Sequence, residues 1–243
     1  MTAIDLLDMP LLLLLLPIVA FLYASVGHGG ASGYLALMSA FSLPMTFMKP
    51  TALVLNILVS AISFYFYYRE KKFKWNLFYP FALSSIPFSF LGGYLSVPTF
   101  YYKVILATVL VFAVFRLLGF LGKEKTNITP LNTYAALFIG AIIGFLSGLI
   151  GIGGGIILSP VILLLGWGTM KQTAAVSALF ILVNSVAGIS GFFLKGGILP
   201  DSSFMLIGVV LVGGFFWSLL RKFKIQFFPL TKYTGSGTRN SYF

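Results

Sequence analysis

The sequence contains no cysteine, which excludes disulfides, thiolate metal sites and thiol nucleophiles. Acidic side chains are nearly absent too: Asp5, Asp8, Glu70, Glu124 and Asp201 are the whole set. Asp5, Glu70 and Glu124 fall outside the apolar stretches and Asp8 and Asp201 lie at their edges, so paired-carboxylate chemistry has no candidates there. His28 is the single histidine. Without a carboxylate or thiol nearby it makes no metal site. No Ser/His/Asp set is present, and "GIGGG" lacks the Gly-Lys-Ser/Thr ending of a phosphate loop. These absences argue against an enzyme and give no reason to expect a metal or cofactor.

What the chain has in excess is apolar surface. Of 243 residues, 59% are hydrophobic and 9% charged, with a mean hydropathy of +1.01. A soluble domain of this size could not bury so much, and several stretches reach the roughly 20 apolar residues that cross a bilayer. The alternation of a membrane β-barrel does not occur. A cleavable leader is not expected, because Asp5 and Asp8 stand where positive charge belongs and no typical cleavage site follows. The fold class is therefore all-α, a polytopic transmembrane bundle. Apolar segments fall at about 6–26, 31–47, 50–68, 76–96, 100–121, 131–151, 154–169, 173–193 and 202–220, with ends good to about 2–4 residues. Aromatic residues at 64–68 and 100–102 read as interfacial anchors.

Lysine and arginine number 16. They sit mainly in short connections and in the tail, so they point to membrane topology and lipid contact rather than to nucleic acid. If all nine segments cross, "REKKFK" (69–74), "KEK" (123–125), Lys171 and "RKFK" (221–224) share one face. Lys49, Lys103 and Lys195 share the other with Asp5, Asp8 and Asp201. The positive-inside rule then predicts a cell-membrane protein with its N-terminus outside and its C-terminus in the cytoplasm.

The sequence repeats itself. "FLYASVGHGGAS" (21–32) aligns with "FLSGLIGIGGGI" (145–156), and "MKPTA" (48–52) with "MKQTA" (170–174). "NILVSAIS" (56–63) matches "NSVAGIS" (184–190) loosely, and "LGGYL" (91–95) resembles "VGGFF" (212–216). Four matches in one order indicate two repeats, which five crossings in the first would invert. The domains are 1–126, a first repeat; 127–220, a second repeat apparently lacking its last helix; and 221–243, a polar and mobile tail.

Both repeats interrupt an apolar helix with glycines, Gly27, Gly29 and Gly30 in the first and Gly151, Gly153, Gly154 and Gly155 in the second. Non-helical backbone at membrane depth persists only inside protein or along a watery cavity. A helix starting there presents unpaired N–H groups and the positive end of its dipole, and glycine lets an anion come close. The alternative is tight helix packing through small residues. His28 inside the first break could bind substrate or relay a proton, or simply bond to backbone. Lys49 and Lys171 each open the helix after a short segment, where the dipole does not favour a cation. They read as the two ends of an anion path or as snorkelling lysines. Thr51 and Thr173, with Asn56 and Asn184 deeper in, add neutral hydrogen-bonding groups.

The stretch "GFLSGLIGIGGGIILSPVILLLGWGTMKQTAAVSAL" (144–179) resembles the TauE/SafE family of sulfite exporters. "AFLYASVGHGGASGYLALMSAF" with "MKPTALVLN" follows the same outline, and the likeness covers roughly residues 15–220. It implies a permease for sulfite, sulfoacetate or other organosulfonates, coupled to protons. His28 departs from the small or apolar residue usual in the family's first Gly-rich stretch. The expected partners are a small anion and the lipid bilayer, and a homo-oligomer is compatible with the sequence. The competing readings are an anion channel and a truncated, non-transporting membrane subunit.

Overall fold

The computed structural model describes residues 9–26, 30–117 and 128–222. Gly27, His28 and Gly29, the "KEK" loop and the tail after Lys222 lie outside the described residues. The described residues form nine α-helices and no strand. In order these are α1 (Pro10–Val26), α2 (Ala31–Ala40), α3 (Met45–Arg69), α4 (Trp75–Tyr94) and α5 (Thr99–Leu117), then α6 (Thr133–Ile150), α7 (Gly155–Leu165), α8 (Met170–Leu194) and α9 (Ser202–Lys222). By length and composition α3, α6 and α8 are each able to cross a membrane.

Local chemistry sets several boundaries. The Asn132 side chain accepts from the backbone N–H of Ala135 and so starts α6. Thr169 and Gln172 close a reciprocal capping box at the start of α8. Gly166 ends α7 in a left-handed conformation.

Glycine then decides how α4, α6 and α8 pack. Gly140, Gly144 and Gly148 recur every four residues on α6, so they form one ridge. A Cβ on Gly144 would run into the Ser85 backbone, and one on Gly148 into the Ser89 carbonyl. Gly93 meets Gly188 of α8 in the same way, and Gly191 meets Phe90. The three backbones therefore touch, as small-residue seams allow in lipid, where apolar burial supplies no drive between helices. The paired residues rise together along the chain, so all three helices run parallel.

Contacts sort the connections into two ends. At one end Thr129 donates its N–H to the Gly166 carbonyl (2.8 Å), and Trp167 lies against Phe81 near the start of α4. Residues 70–74, 128–132 and 166–171 gather here, at what we term the Arg69 end. At the opposite, Lys49 end, the start of α3 meets residues 95–97 and 195–197.

The two short helices are half-spans. α2 has 10 residues and α7 has 11. At about 1.5 Å per residue each covers about half of a 30 Å hydrocarbon core. α6 arrives at the Lys49 end, where a Cβ on Gly151 would lie 2.9 Å from the Lys49 carbonyl. The chain then plunges back through Gly151–Gly154, and α7 carries it to the Arg69 end. Break and half-helix together make the return crossing. α2 leads instead into α3 at the Lys49 end, so α2 and α7 run toward opposite ends.

Candidate anion site at the second helix break

Gly154 is the N-cap of α7, with φ 79° and ψ -16°, and no side chain caps the helix. Gly30 stands at the matching place before α2, with φ 87° and ψ -2°, likewise without a side-chain cap. Left-handed backbone strains any residue with a Cβ, which accounts for glycine at both. The first N–H groups of each half-helix consequently have no intrahelical partner and face the break.

The floor of the second break is built by three helices. The space a Cβ would take at Gly153 is filled by Asn56 of α3 and Ile181 of α8. At Gly154 it is filled by Ile143 of α6 and Phe180 of α8, and at Gly155 by Ile181 again. One helical turn further along the same faces stand Ser147, Asn184 and Ser185. All three are fully buried, as is Asn56.

Their polar atoms are left unused. Ser147 Oγ, Ser185 Oγ, Asn56 Oδ1 and Asn184 Oδ1 have no hydrogen-bond partner. A buried polar atom in this state costs about 1–3 kcal/mol. Ser63, Ser85 and Thr173 carry unpartnered buried hydroxyls elsewhere, but only at the break do four such atoms stand on the three helices that floor it, which makes it the candidate site. The Asn56 amide donates to the Gly151 carbonyl (3.4 Å) and the Asn184 amide to the Phe180 carbonyl (2.8 Å), so each nitrogen is engaged while its oxygen is left over. The two asparagines are not repeat-equivalent: Asn56 follows Thr51 by five positions and Asn184 follows Thr173 by eleven.

The remaining sequence-predicted residues separate. Lys49 is buried and its ammonium donates to the carbonyls of Gly92 (3.2 Å), Gly93 (3.1 Å) and Leu95 (3.2 Å). All three of its donors are thereby used. The unfavourable position at the start of α3 is resolved by the C-terminal carbonyls of α4, which attract a cation. Lys171 is exposed at the other end of the bundle. The hydroxyls of Thr51 and Ser203 share a hydrogen bond (2.7 Å) that ties α3 to α9. Thr173 is buried near the Arg69 end with its hydroxyl unpartnered. Gly27, His28 and Gly29 lie outside the described residues.

Three buried polar residues near the break escaped the sequence reading. Ser147 and Ser185 are hydroxyls deep in apolar helices, the kind of group that is expensive there and worth attention. The third is Tyr102, which is not exposed as Phe100 and Tyr101 are and so is no interfacial anchor. It is buried and donates its phenol to the Ile150 carbonyl (3.0 Å), the last residue of α6 before the break.

Among the described residues no group of acids and histidines could hold a metal ion. Half-length helices, breaks in the interior and unused polar groups beside them are the features of a polytopic membrane transporter. Residues 12–226 match the family described as sulfite exporter TauE/SafE. The chain belongs to that family. It is 39% identical over 207 residues to "Probable membrane transporter protein y4hK" of Sinorhizobium fredii, covering 84% of each chain. It is also 29% identical over 201 residues to "Probable membrane transporter protein MJ0441" of Methanocaldococcus jannaschii, covering 77% of this chain and 73% of that one. No solved structure matches.

Proposed function

We propose that the chain exports a small sulfur oxoanion, such as sulfite or an organosulfonate, together with protons. The cargo sits between the two glycine breaks, and the two repeats have inverted topology. The observation that carries this reading is the pair Gly30 and Gly154, left-handed N-caps of half-helices that run toward opposite ends. Two helix N-termini then face the interior and offer N–H donors to one anion. Ala31 and Tyr34 of α2 share a buried cluster with Ile150 and Ile152 of the second break, which supports a joint site.

Hydroxyls of Ser147 and Ser185 rotate and can donate to the anion. The Asn56 and Asn184 oxygens only accept, so they suit a protonated oxygen of the cargo or a bridging water. A site with both kinds of group fits an acid oxoanion that travels with its proton. His28, in the first break, is our candidate for moving that proton.

The test is flux from proteoliposomes of purified protein loaded with sulfite, sulfoacetate, sulfate or chloride. The proposal expects sulfite or sulfonate to move against its own gradient when a pH gradient is imposed. Movement only down the anion's gradient would show a channel instead. No flux of any sulfur anion would overturn the reading.

A further inference from the structure

A second site stands at the Lys49 end, away from the breaks. A cleft of about 250 Å³ opens between the start of α3, residues 95–97 and the turn after α8. It is lined by Lys49 and Lys195, and no acidic residue lines it. Lys49 donates to the Leu95 carbonyl, and Lys195 donates to the hydroxyl of the next residue, Ser96. Two cations are thus anchored on neighbouring residues of one connection, with no acid in the cleft to offset them. Like charges held so close repel, and an anion between them relieves the cost.

The donor count separates their roles. Lys49 has spent its three N–H bonds on carbonyls, so it contributes charge and no contact. Lys195 is exposed and keeps donors beyond the bond to Ser96. The Ser96 hydroxyl accepts from Lys195 and so can turn its own proton into the cleft. Beside these groups the wall is apolar, with Leu149, Val97 and Phe192. A Cβ on Gly196 would meet nothing within 4 Å, so this side is open.

We propose that this cleft is an oxoanion site, with the oxoanion on Lys195 and Ser96 and a short apolar tail against Leu149, Val97 and Phe192. Two sources carry such a group: a free organosulfonate, held at the mouth of the path, and the phosphate of an anionic lipid. The site does not depend on the breaks.

The test reads the reaction of Lys195 with an amine-acylating reagent, by peptide mass spectrometry, with exposed Lys74 as the internal reference. Protein in phosphatidylcholine nanodiscs receives ethanesulfonate, or chloride at equal ionic strength; a parallel sample uses phosphatidylglycerol without ethanesulfonate. Severalfold slower labelling of Lys195 with ethanesulfonate and not chloride supports the free anion. Slowing only in phosphatidylglycerol supports the same site with a lipid headgroup. Equal labelling in all three samples overturns the site. Ser96→Ala should weaken whichever protection is seen, and Ser147→Ala should leave it intact, so failure here is distinct from failure at the break.

Discussion

Gly30 and Gly154 lie 124 positions apart and hold nearly the same backbone conformation, each as the N-cap of a half-length helix. Replacing either should cost stability on its own. For Gly154→Ala, left-handed strain is about 1–2 kcal/mol, and the new methyl would lie 2.7 Å from Ile143 and 2.8 Å from Phe180. Gly196→Ala carries similar strain at φ 88° with no neighbour to meet. Thermal unfolding in detergent should therefore show Gly154→Ala well below Gly196→Ala. Equal midpoints would mean that the break is looser than described. It also follows that a bulky residue at Gly154 cannot separate binding from folding.

The α4–α6 seam makes a stronger demand. Gly148→Val would drive a side chain into the Ser89 carbonyl, where backbone cannot yield. Monodisperse protein should be lost on size-exclusion chromatography, whereas Gly208→Val, with nothing within 4 Å, should behave as wild type. A well-folded Gly148→Val protein would refute the close backbone contact of α4 and α6.

Lys49 and Lys171 look alike in the sequence and should differ on substitution. Lys49→Gln removes charged bonds to three carbonyls and should lose about 1.5–3 kcal/mol. Lys171→Gln, on an exposed side chain, should stay within about 0.5 kcal/mol of wild type. Unfolding midpoints of the two variants decide the matter, and equal effects would contradict the clasp on α4.

The absence of cysteine makes topology directly measurable. Single cysteines at Lys71 and Lys171 should share one side, and those at Ser96 and Asp201 the other. The positive-inside rule puts the first pair in the cytoplasm, so impermeant reagents should label only Ser96→Cys and Asp201→Cys in intact cells. Labelling of Lys71→Cys from outside would reverse the orientation, and mixed labelling within a pair would refute the grouping.

The breaks were legible in the sequence because glycine clusters in apolar helices are conspicuous and because they repeat. The small-residue seam was legible as a possibility, but it belongs to Gly140, Gly144 and Gly148 rather than to the break itself. Lys49 was conspicuous, yet its partners lie on α4, 43 to 46 positions away, and local spacing carries no sign of them. Ser147 and Ser185 were harder still. A hydroxyl in such a helix often bonds to its own preceding turn, as Ser190 does with Val186 and Thr108 with Val104. Only the fold distinguishes the serines that leave this bond unmade.

That difference supplies the most direct test of the central claim, the anion at the break. Removing an unpartnered buried hydroxyl relieves a folding penalty, so Ser147→Ala with Ser185→Ala should unfold at the wild-type temperature or above. The quantity to measure is proton-driven sulfite flux per folded molecule in proteoliposomes of this double variant. Losing contacts worth about 1.5 kcal/mol lowers affinity about tenfold, and flux at subsaturating sulfite should fall accordingly. Wild-type flux and affinity in a protein at least as stable would contradict the account.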